Sequence, residues 1–175
     1  MNTLLKTLLA TAIVSAIAAP AMAQTSATQS TTASATIVQP ITLTKNSDLA
    51  FGTVVKPTSG TNTVTVNETT GSRTLTGAGD AALATSSPTR AAFSVGGEGG
   101  QTFSITVPST ATMTRSGGSE TLTVNLVKTA ATGTLSGSIG SAGTAAFGVG
   151  GNFDVASTTV SGAYSGSFNV TVAYN

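Results

Sequence analysis

Few residues of this chain could move a proton or hold a metal, and their types exclude most chemistry. The sequence has no His and no Cys. It therefore offers no imidazole base, no thiolate nucleophile and no soft zinc ligand. What remains are six carboxylates: Asp48, Glu68, Asp80, Glu98, Glu120 and Asp154. Two of them brought together could act as general acid and base, as in glycoside hydrolysis. They are scattered, mostly beside turns, at no recognisable spacing, and no aromatic platform is available to hold a sugar. No Lys stands next to a Ser to activate it. A calcium site needs several clustered carboxylates, and Asp80 stands alone. The glycine run at residues 96–100 superficially resembles a phosphate loop. It lies between two apolar alternations, opens no helix and lacks a following Lys-Ser/Thr, so it reads as a hairpin turn, as does the run at 148–151. The expectation is a protein with no catalytic residues, no cofactor and no metal.

The elements that would have to position these groups read as strands. Ile41 and Leu43 alternate with Thr42 and Thr44, and Leu49 shares a face with Phe51 ahead of Gly52. Val64 and Val66 lead through a turn at residues 69–72 to Leu75. Phe93 and Val95 run into the first glycine cluster, and Phe103, Ile105 and Val107 run out of it. A hairpin around residues 116–119 leads to Leu122, Val124 and Leu126, and Phe153 and Val155 follow the second cluster. Period-two alternation, β-branched filling and regular turn chemistry predict an all-β sandwich. Residues 81–84 could form a helical turn, but no amphipathic helix of useful length appears. Phe51, Phe93, Phe103 and Ile105 are expected in the core.

The last stretch is the plainest. Tyr164, Gly166, Phe168, Val170, Val172 and Tyr174 fall on one face, and Ser165, Ser167, Asn169, Thr171, Ala173 and Asn175 on the other. That pattern predicts a final strand lining the core, where most domains let their ends fray.

Compartment and charge narrow the partners. Lys6, a short apolar run and Ala21-Met22-Ala23 make a three-part secretory signal over residues 1–23, too short to span a bilayer, with the mature chain starting at Gln24. No later stretch is long and apolar enough for a transmembrane helix. Removing Lys6 leaves six basic against six acidic residues, with no run of either sign. Nucleic acid and anionic membranes both call for a basic patch, so neither is an expected partner. Without Cys, stability must come from packing, backbone pairing or a partner.

Two resemblances follow from the motifs. Chaperone–usher pilins end in a strand with a penultimate Tyr and a Gly fourteen places from the end. Here Tyr174 is penultimate, and Gly162 occupies the fourteenth place. The chain also resembles a family of secreted proteobacterial domains of unknown function. Its hallmarks here are Pro40-Ile41-Thr42-Leu43, Leu49-Ala50-Phe51-Gly52, Phe93-Ser94-Val95-Gly96, and Gly162-Ala163-Tyr164-Ser165-Gly166-Ser167-Phe168. Each is weak alone, and four in order are fairly specific.

The pilin resemblance implies an immunoglobulin-like, pilin-like sandwich that lacks its last strand. The body, residues 38–175, would keep an open groove beside its C-terminal strand. An extended arm at residues 24–37 would fill the groove of the next copy, adding a strand through backbone hydrogen bonds. Such a contact is head-to-tail and makes a fibre. The implied partners are copies of the chain itself, with a periplasmic chaperone and an outer-membrane usher during assembly, and the implied destination is the cell surface. Candidate contact residues are Ala27, Thr31, Ala33, Ala35 and Ile37 on the arm. On the body they are Gly162, Tyr164, Phe168, Val170, Val172 and Tyr174. Strong donor strands carry bulky aliphatics, whereas this arm offers mostly Ala and Thr. Burying a methyl yields ~0.8 kcal/mol, against ~1.5–3 for a larger aliphatic. The alternatives are a flexible Ser/Thr-rich linker and, for the whole protein, a self-contained secreted sandwich acting as an adhesin or matrix component. An eight-stranded outer-membrane barrel fits the length, but its strands need about nine to eleven residues and two aromatic girdles.

Overall fold

A computed structural model describes residues 26–175, and the expected signal sequence with its cleavage point lies outside them. The chain divides into two units, Met1–Ala35 and Thr36–Asn175. In the first, residues 26–35 are exposed and take no regular secondary structure.

The second unit is built from strands: β1 Thr42–Ser47, β2 Val54–Val55, β3 Thr61–Val66, β4 Arg73–Gly77, β5 Ala82–Leu83, β6 Ala91–Glu98 and β7 Thr102–Thr106. They continue with β8 Thr110–Arg115, β9 Thr121–Lys128, β10 Thr132–Thr134, β11 Ala142–Ala156, β12 Tyr164–Ser165 and β13 Thr171–Tyr174. Every paired ladder is antiparallel. The all-β reading therefore stands, and residues 82–83, within the segment whose composition admits a helical turn, form a short strand.

The large sheet runs β1-β6-β11-β9-β8-β12, with β3 paired to both β11 and β4. A second sheet runs β10-β7-β13, and β2 pairs with β5. Strand β11 organises the large sheet. It pairs β6 through Ala142–Val149 and β3 through Gly151–Ala156, while β9 pairs Val149–Asn152 on the opposite edge.

The second glycine cluster sits at this change of partner. Residues 148–151 lie inside β11 and are not the turn their composition predicted. A Cβ on Gly150 would collide with the Val66 carbonyl, and one on Gly148 with the Glu68 carbonyl. The glycines are there because neighbouring backbone comes too close for a side chain. The first cluster also departs from expectation. Strands β6 and β7 flank it but belong to different sheets, so it is a corner between layers and not a hairpin. The predicted hairpins β3–β4 and β8–β9 are present.

Two apolar clusters result. One joins Ala91, Phe93, Val95, Phe147 and Val149 of the large sheet to Phe103 and Ile105 of β7 and to Leu135. The other gathers Phe51, Val64, Val66, Val124, Phe153 and Val155. Phe51, Phe93, Phe103 and Ile105 are all buried, as their spacing predicted. Each such side chain removed from water contributes ~1.5–3 kcal/mol. Leu135 and Phe147 are core residues that the alternation did not reveal. Leu135 follows a three-residue strand, too short to show a period, and Phe147 sits just ahead of glycines read as a turn.

Candidate functional site

The C-terminal segment folds as two short strands where one long strand was expected. Tyr164 and Ser165 pair with Arg115 and Thr114 of β8 in the large sheet. Thr171, Val172, Ala173 and Tyr174 pair with Thr106, Ile105, Ser104 and Phe103 of β7 in the second sheet. The intervening residues 166–170 carry the chain from one layer to the other. Gly166 marks the departure: a Cβ there would collide with the Thr112 carbonyl. At Gly162 a Cβ would lie 2.7 Å from Cδ of Arg115, whose guanidinium pairs with Glu120 at 2.7 Å.

The face predicted for this segment is nonetheless kept through the switch. Tyr164, Phe168, Val170, Val172 and Tyr174 are half-buried, whereas Ser165, Ser167, Asn169, Thr171 and Ala173 are exposed. Phe168, Val170, Val172 and Tyr174 pack against the first apolar cluster, alongside Leu43 of β1 and Ile41 just ahead of it. Strand β13 ends its sheet, and among the described residues no strand pairs with its outer edge. That edge presents unpaired backbone groups above half-covered apolar side chains.

Tyr174 does more than fill space. Its hydroxyl accepts the Glu98 backbone N–H at 2.7 Å and donates to the Gln39 carbonyl at 2.8 Å. The buried Glu98 carboxylate accepts the Gln39 N–H at 3.2 Å and the Gly140 N–H. The end of the chain is thus tied to the peptide leading into β1 and to the corner between the sheets. In the sequence Glu98 is one of six scattered carboxylates and a member of a glycine-rich turn, with no sign of burial. Nothing in the alternation marks it, because the regular inward pattern of β6 ends at Val95. Tyr164 donates its hydroxyl to the Val160 carbonyl at 2.7 Å.

Of the arm residues singled out, Ala27, Thr31, Ala33 and Ala35 are exposed and outside any strand. Ile37, in the second unit, is 91% exposed, the highest value among the large apolar residues left outside the core.

Among the described residues, five of the six carboxylates, all but Glu68, have structural partners. Asp80 accepts the Thr58 hydroxyl at 2.5 Å and the amides of Thr58 and Ser59 at 2.6 and 3.2 Å. The Thr58 hydroxyl bond foremost, then the Ser59 and Thr58 amides, hold its carboxyl below the ordinary 3.8. The Arg115 hydrogen bond holds Glu120 below its ordinary 4.5. Asp154 accepts the Thr63 hydroxyl at 2.6 Å, and Asp48 pairs with Lys45 at 2.5 Å. Asn67, first residue of a glycosylation-like triplet, accepts the Thr69 and Thr70 amides in a local turn.

Among the described residues no helix is long and apolar enough to cross a membrane. Comparison with known proteins gives one family. The model described as "Domain of unknown function (DUF4402)" matches residues 41–174. No curated protein and no solved structure matches the chain.

Proposed function

Since the chain belongs to the DUF4402 family, a family without an assigned activity, we propose that it is a non-enzymatic structural subunit of a cell-surface filament. Copies join head-to-tail, the N-terminal arm of one adding a strand to the body of the next. The observation that carries this reading is the unpaired outer edge of β13. A strand edge with free N–H and C=O groups invites another chain; Val172 and Tyr174 on β13, and Phe168 and Val170 in the segment leading into it, are only half-covered. An added strand supplies backbone partners and places alternate side chains over that apolar row. The arm suits the role because residues 26–37 are exposed and carry no charge, so docking them desolvates no ion. Export across the inner membrane, a chaperone that covers the edge in transit and an usher that releases the subunit complete the proposal.

The scaffold favours assembly over chemistry. Asp48, Asp80, Glu98, Glu120 and Asp154 each hold a neighbouring amide, hydroxyl or cation, which leaves them poorly disposed to exchange protons with a substrate.

A second reading rests on the Tyr174 hydroxyl. Its bonds to Glu98 and Gln39 close the body upon itself, as suits a self-contained sandwich acting as an adhesin or matrix component, with the arm as a tether.

A cross-linking experiment separates the two. The chain has no Cys, so an introduced pair reports a single contact. Ala173 faces outward on β13, and Ser34 and Thr36 are the outward positions of an added arm. Chains carrying Ala173→Cys with Ser34→Cys, or Ala173→Cys with Thr36→Cys, should form a disulfide ladder on oxidation, because facing strand positions bring Cα atoms within bonding reach. Monomer from both pairs would remove the strand-addition reading and leave the tether.

A further inference from the structure

A cleft of about 690 Å³ opens beside the second apolar cluster, on the side of β12. Its walls come from residues 49–54, from Met113 and Leu122 of β8 and β9, and from Phe153 and Val155 of β11. Residues 159–166 form the facing wall. Phe51 and Phe153 meet edge-to-face in it, with ring centroids 4.9 Å apart. The volume falls in the range of about 300–1,000 Å³ typical of small-molecule sites.

The charge on this cleft is one-sided. None of the carboxylates lines it, and Lys56 is the single ionised residue among its lining. The ammonium is held in place: it donates to the carbonyls of Ser157 at 3.1 Å and Thr159 at 3.3 Å. An ammonium has three N–H donors, so one remains for a ligand. A cleft that sets Phe51, Met113, Leu122 and Phe153 beside hydroxyl and backbone groups, with one anchored cation at its edge, complements a molecule with an apolar chain and one anionic head. We propose that this cleft binds a single-chain alkyl carboxylate, its chain against Phe51, Met113, Leu122 and Phe153 and its head on Lys56. The site lies within one chain and does not depend on copies joining, so it goes beyond the filament reading and survives that reading's failure.

The test is titration calorimetry of the purified protein with dodecanoate held below its micelle concentration. Saturable binding of one molecule per chain is expected. Lys56→Gln should weaken it about tenfold or more, the loss expected for a charge-assisted hydrogen bond. Dodecyltrimethylammonium, with the same chain and the opposite charge, should not bind. Ala163→Trp should block binding by filling the cleft, with Thr53→Trp as a second blocker on another wall should the first variant melt early. Val127→Trp, on an exposed strand position away from the cleft, should bind as the parent does. The proposal is overturned if dodecanoate gives no saturable heat. It is equally overturned if Lys56→Gln or both blocking variants bind undiminished, if the cationic chain binds equally well, or if only vesicles of anionic phospholipid bind.

Discussion

Replacing Tyr174 with Phe removes one atom, the hydroxyl oxygen that joins the last strand to the start of the body. That oxygen satisfies the backbone N–H of Glu98, a residue only 3% exposed. It also donates to the carbonyl of Gln39, which is exposed and can turn to water. The second loss is therefore small, and the orphaned amide sets the magnitude: ~1–3 kcal/mol for an unsatisfied buried donor. A value near ~2 kcal/mol corresponds to a fall of ~6 °C in Tm for a body of this size. A double-mutant cycle sharpens the argument. A methyl on Gly97 would collide with the Tyr174 hydroxyl oxygen, while the nearest ring carbon, Cζ, lies 3.2 Å away. Gly97→Ala should cost ~1–3 kcal/mol as an overpacking change in the parent, and about 1 kcal/mol less once the hydroxyl is gone. The chain lacks Trp, so urea unfolding should be followed by far-ultraviolet circular dichroism. A Tyr174→Phe variant within ~0.5 kcal/mol of the parent, or strictly additive effects in the cycle, would refute the reasoning.

Three other changes probe the scaffold. Leu135→Ala, at a position 1% exposed, should destabilise by ~2–5 kcal/mol in the same urea assay. Gly150→Ala should lower stability by ~1–3 kcal/mol, since its methyl would meet the Val66 carbonyl and nothing flexible is there to yield. Asp80 is held below its ordinary 3.8 in the folded chain, so its contribution is present above that value and is lost as pH falls through the folded one. Urea midpoints of the parent and Asp80→Asn should therefore differ at pH 7 and converge in strong acid; a constant gap across the range would contradict this.

How much of this was legible in the sequence depended on whether local alternation carried the signal. Val64, Val66, Phe93, Val95, Phe103 and Ile105 alternate in runs long enough to declare a face, and the structure buries them. The half-buried row from Phe168 to Tyr174 was legible for the same reason. Its division between two sheets was not, because alternation persists through residues 166–170 and records no change of pairing partner. Glycine misled twice. Its backbone freedom suits turns, but its lack of a side chain also suits close approach inside a strand, and at residues 148–151 the second cause operates. Composition cannot separate the two. The Lys56 cleft was invisible because its walls are distant in sequence and its cation reads as an ordinary surface Lys.

The central claim is that the arm of one copy completes the edge of the next, and adding the arm in trans tests it most directly. A chain lacking residues 24–34 should stay monomeric where the intact chain associates. A peptide of residues 24–37 should then bind it and stabilise it by about 2.7 kcal/mol at a hundredfold excess over Kd, read as a rise in Tm. The same peptide with Ala33→Asp or Ala35→Asp should have no effect, since each would press an unpaired carboxylate against the apolar row. Ser34→Asp or Thr36→Asp, on the outer face, should be tolerated. A shortened chain that melts with the intact one, matches its monomeric state and ignores the peptide would contradict the account.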